Sequence, residues 1–73
     1  MRKYIDSLCR ETIVCHLADG TSVQGVLLAV HRDCIVLVAA AVLGGDHNTP
    51  ADGEVVVERG KVLWMQRLAP REV

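Results

Sequence analysis

The chain has 73 residues, half of them apolar, a formal net charge of −1 and only one Trp and one Tyr with no Phe. A chain this short forms one domain with a thin core, burying only about 60–65% of the surface its unfolded form exposes. Acids and bases are scattered singly, with no basic stripe of the kind a purely electrostatic nucleic-acid binder carries.

The longest apolar run, residues 34–45, is well short of the roughly 20 residues a membrane-spanning helix needs. The first residues mix charge with single apolar positions and lack the apolar stretch of a secretory signal. The expectation is therefore no membrane partner and a cytoplasmic protein that is not secreted. Three cysteines, at 9, 15 and 34, fit reduced thiols in such a compartment. Cys15-His16 and His31-x-x-Cys34 suggest zinc, but strand neighbours point to opposite faces and could not grip one ion easily. No metal site and no cofactor is expected.

Taken in chain order, Tyr4, Ile5, Leu8 and Cys9 recur at helical spacing, which predicts a short helix over residues 2–10 docked on the core. From Thr12 the period changes to two: Ile13, Cys15 and Leu17 alternate with Thr12, His16 and Ala18, predicting a strand over 12–18. Asp19-Gly20 is a hairpin signal, since both residues tolerate the positive φ of a two-residue turn. A second strand is predicted over 22–30, with Gly25 inside it marking a bulge, a bend or a close backbone approach.

"HRD" at 31–33 is a polar break, and a third strand, apolar enough to be covered on both faces for part of its length, is predicted over 33–43. The Gly-, Asp-, Asn- and Pro-rich stretch 44–52 reads as a loop. Strands four and five are predicted over 53–59 and 61–68, joined at the Arg59-Gly60 hinge; the tail beyond reads as frayed. One helix and five short antiparallel strands cannot make a two-layer sandwich. The economical arrangement is a mostly β fold, one sheet bent on itself into a small barrel, with Gly25 and Gly60 where the backbone turns hard.

Two stretches then resemble the motifs of the Sm/LSm family. "IVCHLADGTSVQGVLLAVHRDCIVL" carries alternating apolars, Asp19-Gly20, Gly25 and a polar turn; "VVVERGKVLWMQRL" carries the apolar-x-Arg-Gly pattern at Arg59-Gly60. The resemblance spans nearly the whole chain. It implies a strongly bent five-stranded, SH3-like barrel assembling into rings of six or seven, the fourth strand of one copy pairing with the fifth of the next. On that basis Val55, Val56, Val57, Val62, Leu63, Trp64 and Met65 are expected at a subunit interface. The physics is consistent, because an unpaired apolar edge is an aggregation hazard that ring closure removes.

The family's RNA pocket is only partly matched. Counting from Gly25 without gaps, its Asp, stacking and Asn positions fall on His31, Cys34 and Ile35, and a one-residue shift brings Asp33 into play; Arg59 alone matches. Arg59, Gly60, His31 and Asp33 are the candidate RNA-binding residues of a divergent member that has lost most of the pocket. Arg59 has alternatives: Glu58, Asp33 or a neighbouring subunit could take its charge. His31 is either a pH-responsive group or a loop residue bonded to backbone. His16 is expected to face solvent or a partner, and Trp64 either fills the barrel or anchors an interface.

No catalytic constellation has meaningful spacing and no phosphate cradle follows a strand. Two functions follow. The first is a non-enzymatic assembly module, a ring or a small subunit of a larger assembly, whether an enzyme complex or a viral or phage particle; in the viral case the chain would sit in the virion. The second is RNA binding through Arg59 at a ring pore. Three consecutive alanines, 39–41, suggest close approach of backbones or of a neighbouring subunit.

Overall fold

The structure is a computed structural model that describes residues 4–5, 7–44 and 47–68, with the side chain of His47 excepted. Six strands form one antiparallel sheet: β1 (Thr12–Leu17), β2 (Ser22–Val30), β3 (Cys34–Gly44), β4 (His47–Ala51), β5 (Val55–Glu58) and β6 (Val62–Arg67). Their order is β4-β3-β2-β1-β6, and β5 pairs with β3 off that path. The long β3 is shared along one edge, Cys34–Leu37 pairing with β5 and Ala40–Gly44 with β4.

Two expectations are corrected. The stretch 44–52 is largely a strand: His47–Ala51 folds back on β3, with Ala40 opposite Ala51 and Leu43 opposite Asn48. Its Asn and Pro pointed to a loop, but an edge strand accommodates Pro50 because, among the described residues, one side of its backbone has no partner. Positions 45 and 46 lie outside the described residues. The helix expected over 2–10 is replaced by turns. Among the described residues helical backbone is confined to Tyr4 and Ile5, and residues 7–10 are turns, in which Ser7 N donates to Tyr4 O and Leu8 N to Ile5 O, both 3.0 Å. Residues 2, 3 and 6 of that span, and the tail from 69 onward, lie outside the described residues.

The turns end because Arg10 swings to a left-handed φ of 72°. That reversal lets Arg10 N donate to Leu27 O at 2.7 Å and Glu11 O accept from Leu27 N at 3.0 Å. Ile5 and Leu8 are thereby laid on the barrel, both nearly fully buried. The helical spacing marked Ile5 and Leu8 correctly as core-facing and Cys9 in part, but Tyr4, counted in the same stripe, is 60% exposed.

The core is the inward row of each strand: Ile13 and Cys15 from β1, Val23 and Leu27 from β2, Ile35 and Leu37 from β3, with Val57 and Leu8 closing it. Burial pushes the Cys15 thiol above its usual range, so it stays protonated and inert.

Two register shifts between β2 and β3, and a third between β1 and β6 at His16 and Leu17, bend the sheet. Gln24 pairs with Ala41 and Val26 with Val38, so the single Gly25 faces both Ala39 and Ala40. A Cβ on Gly25 would lie 3.1 Å from Ala40 Cβ and from the Val38 carbonyl oxygen. Ala39 takes a φ of 51° to make the bulge. This gives the alanine run its physical reason: Ala39 turns the chain, Ala40 fills the space left by Gly25, and Ala41 lies between β2 and β4. A second shift, between Leu27 and Ala29, leaves Leu28 unpaired and half exposed. Bulges of this kind raise local twist and allow a sheet this small to curl.

The β1–β2 connection is longer than a two-residue turn. Gly20 N donates to Leu17 O at 3.1 Å, Gly20 takes φ 94°, and the Asp19 carboxylate accepts from Thr21 N (3.0 Å) and Thr21 Oγ1 (2.6 Å). Those bonds, the hydroxyl's first, hold the Asp19 carboxyl below its ordinary value. Its contribution to turn stability is present at neutral pH and fades as acid protonates the folded form.

Candidate subunit interface and loop cluster

β5 and β6 are joined by one turn of 3₁₀ helix, Arg59–Lys61. Among the described residues, β5 pairs only with β3 and β6 only with β1, so each presents a second edge without a ladder. The expected hinge is thus present. Gly60 within it has no left-handed φ, however, and a Cβ there would meet nothing within 4 Å, so the turn does not depend on glycine.

The seven expected interface residues divide into two sets. Val57 belongs to the buried core, and Val55, Val62 and Met65 pack against it. Their side chains are used within this chain, and only their backbones are available to a neighbouring strand. Val56, Leu63 and Trp64 are the exposed set, at 63%, 68% and 55%. A cleft of about 450 Å³ runs beside β6, walled by Ile5, Leu8, Leu63, Trp64 and Met65.

Trp64 does not fill the barrel. It pairs across the ladder with His16 on the face opposite the core, and the two rings stack with centroids 3.7 Å apart and planes 14° from parallel. Ser22 Oγ lies 3.0 Å from His16 Nδ1 and fixes the imidazole from the other side. His16 Nε2 is buried without a hydrogen-bond partner among the described residues. His16 therefore spends its ring on Trp64 rather than facing solvent. The β1–β6 pairing creates this stack. Alternation places His16 on the polar face and leaves Trp64 open between barrel and interface, and no local signal says which distant strand lies alongside.

The loop candidates do come together. Arg59 N donates to Asp33 O at 2.9 Å, and its guanidinium Nη1 donates to the carbonyl oxygens of His31 (3.0 Å) and, more weakly, Arg32 (3.4 Å). His31 N closes its own turn on Cys34 O at 2.8 Å. The partner of Arg59 is thus backbone carbonyl, not the Glu58 or Asp33 carboxylate considered from sequence. Carbonyl oxygens are suitable for this role because a guanidinium offers several donors in a rigid fork. Near these loops Ala18 N donates to Lys61 O at 2.9 Å, so the 3₁₀ turn ties the β1–β2 turn to the β2–β3 turn. Gly60 supplies no side chain to the cluster, and no group of His, Cys, Asp and Glu able to hold a metal occurs among the described residues.

No protein-family model matches the sequence, and no curated protein matches it. Solved structures do match. The chain is similar to the SmAP1 heptamer of P. aerophilum, with TM-score 0.87 and 15% identity over 96% of this chain and 95% of that one. It is similar to the Sm protein of Pyrococcus abyssii in complex with a uridine heptamer, with TM-score 0.83 and 18% identity over 92% and 96%. A chain of the NatC complex bound to CoA matches with TM-score 0.75 and 21% identity over 84% of this chain and 79% of that chain. At these identities the likeness is one of fold, and the fold of this chain is Sm-like.

Proposed function

We propose that this protein is a non-enzymatic assembly module that joins to copies of itself edge to edge through β5 and β6. The observation that carries this reading is the pair of free strand edges, each with an exposed apolar side chain: Val56 on one, Leu63 and Trp64 on the other. Left open in water, such edges invite indiscriminate pairing. The two edges differ, so joining one to the other is head-to-tail and closes into a ring when the rotation permits. Pro50, which has no backbone N–H to donate, blunts the neighbouring β4 and leaves β5 as the strand suited to pairing.

The Sm-like solved structures include heptamers, which supports ring closure; the NatC chain supports the variant in which such a barrel serves as a subunit of a larger assembly. Sedimentation velocity and native mass spectrometry at micromolar concentration test the reading. A discrete oligomer is expected, and a stable 8.0 kDa monomer overturns it.

RNA binding is the second reading, favoured by the uridine heptamer held by one similar protein. Here Arg59 is engaged by two carbonyls of its own chain, and Cys34 and Ile35 offer neither a stacking face nor a hydrogen bond to a base. A labelled oligo-U and a mixed RNA at about 150 mM salt decide it. Submicromolar affinity that is lost in Arg59→Ala would place RNA first.

A further inference from the structure

The assembly reading leaves open how the two edges align, and the geometry points to one register: Val56 of one copy directly opposite Trp64 of the next, selected by charge. This inference rests on edge assembly and specifies the partner, a second copy of this chain, and the alignment it takes.

Two independent constraints together select this alignment. The first is the face each side chain occupies. Val57 lies in the core and Val55 packs on it, so Val56 and Glu58 project from the outer face of β5. On β6, Met65 packs on the core opposite Cys15, while Trp64 and Gln66, opposite His16 and Val14, are on the outer face. Directly opposed residues of an antiparallel ladder share a face. Val56 can therefore oppose Trp64 or, slipped by two, Gln66, but not Met65.

The second constraint is charge. Glu54 and Glu58 stand two residues either side of Val56, whereas Lys61 and Arg67 stand three residues either side of Trp64. One strand is bracketed by acids, the other by bases, and each bracket is centred on the exposed apolar residue. With Val56 opposite Trp64, Glu54 falls opposite Gln66, beside Arg67. Strand β6 is irregular at Leu63, which has no partner on β1, and the same extra residue on the free side brings Glu58 to the Lys61 end of the neighbouring strand. The two-residue slip puts Glu58 against Trp64 and carries Glu54 past Gln66 to Leu68. All four charged residues are exposed. Arg67 also touches Glu11, beside β1, through Nε at 3.4 Å, so Glu54 would share its guanidinium with that carboxylate. Arg59, the remaining base of the segment, is taken up by the carbonyls of its own loop.

Stacking on His16 adds preorganisation. Trp64 is fixed by a ring on one side yet keeps more than half its surface exposed, so little side-chain freedom remains to be lost when a strand docks. The brackets also act against wrong pairings, since β5 on β5 opposes acid to acid and β6 on β6 opposes base to base.

Charge reversal tests the inference. Glu54→Lys with Glu58→Lys, and separately Lys61→Glu with Arg67→Glu, should each weaken association about tenfold or more. Mixed in equal amounts, the two variants should assemble again by alternation, which native mass spectrometry reads as mixed oligomers with even subunit counts. The alignment is read by oxidative cross-linking with peptide mapping, which separates new bridges from the native cysteines. Glu54→Cys with Gln66→Cys should join neighbouring copies; Val56→Cys with Gln66→Cys should not. Circular dichroism confirms folding of each variant, and Glu54→Gln with Glu58→Gln replaces a reversal that does not fold. A wild-type monomer would defeat the assembly reading itself. If the wild type assembles but the reversals change nothing, the mixture stays apart, or the second cysteine pair is the one that bridges, the register alone is overturned.

Discussion

The β2–β3 crossing and the β5–β6 turn each carry a glycine in a similar sequence setting, between apolar runs, and they could hardly be more different in packing. At the crossing, Gly25 faces Ala39 and Ala40 with a backbone oxygen 3.1 Å from where a Cβ would stand. At the turn, Gly60 has open space around it and an ordinary φ. The first region is finished within the chain, its small residues chosen so that two strands can close on each other. The second is unfinished: its strand edges and its largest apolar side chains face outward. A glycine therefore reports folding in one place and only a turn in the other, and the contrast separates what stabilises the barrel from what the barrel does.

The sharpest way to break the comparison is to fill the crossing. Gly25→Val should cost about 3 kcal/mol, because the added atoms meet backbone and Ala40 rather than a flexible side chain. Chemical denaturation reads the loss as a lower midpoint. A change under about 0.5 kcal/mol would mean the β2–β3 approach is looser than described.

Trp64→Ala probes the other region. With more than half its surface exposed, Trp64 contributes little to the core, so fold should persist while association weakens by about 2 kcal/mol per seam, roughly thirtyfold. Far-ultraviolet circular dichroism and sedimentation on the same sample distinguish the two effects. Loss of fold together with assembly would assign the His16–Trp64 stack to the barrel's own stability instead.

Much of the closed region was legible in sequence and less of the open one. The period-two rows of β1 and β2 and the Asp19-Gly20 turn are local signals, and they appear where expected. Gly25 was legible as a bulge, though not that Ala39 and Ala40 would form its other side, because register across strands is set by the whole sheet. Residues 47–51 read as loop because Asn and Pro are poor strand formers; pairing with the apolar end of β3 overrides that preference. The N-terminal stripe was right about the burial of Ile5 and Leu8, wrong about the exposed Tyr4 and wrong about the backbone, since a left-handed Arg10 leaves no mark in a periodicity. At the loop cluster, the gathering of His31, Asp33 and Arg59 followed from the motif resemblance, but the engagement of Arg59 with carbonyls could not, as backbone acceptors are invisible in side-chain patterns.

The bulge allows a smaller test within the closed region. Ala39 is exposed and holds a left-handed φ that costs an alanine about 1–2 kcal/mol, while glycine loses roughly 0.5–1 kcal/mol more conformational entropy on folding. Ala39→Gly should therefore raise stability by about 0.5 kcal/mol, seen as a small rise in denaturation midpoint. A loss above about 1 kcal/mol would show that the alanine methyl packs in the bulge.

Gly60→Ala is expected to have the smallest effect, and it completes the comparison. The sequence reading makes Gly60 a hinge that needs glycine; the structure makes the hinge a 3₁₀ turn, which alanine can adopt with no atom within 4 Å of its new methyl. Removing a glycine where the native φ suits alanine restricts the unfolded chain and stabilises by about 0.4 kcal/mol or slightly more. Calorimetry should show a small rise in Tm and sedimentation an unchanged oligomer. A drop in stability would mean that the turn needs conformations only glycine reaches. Unchanged stability with lost association would place the neighbouring copy against Gly60, extending the seam from the strand edges into the turn.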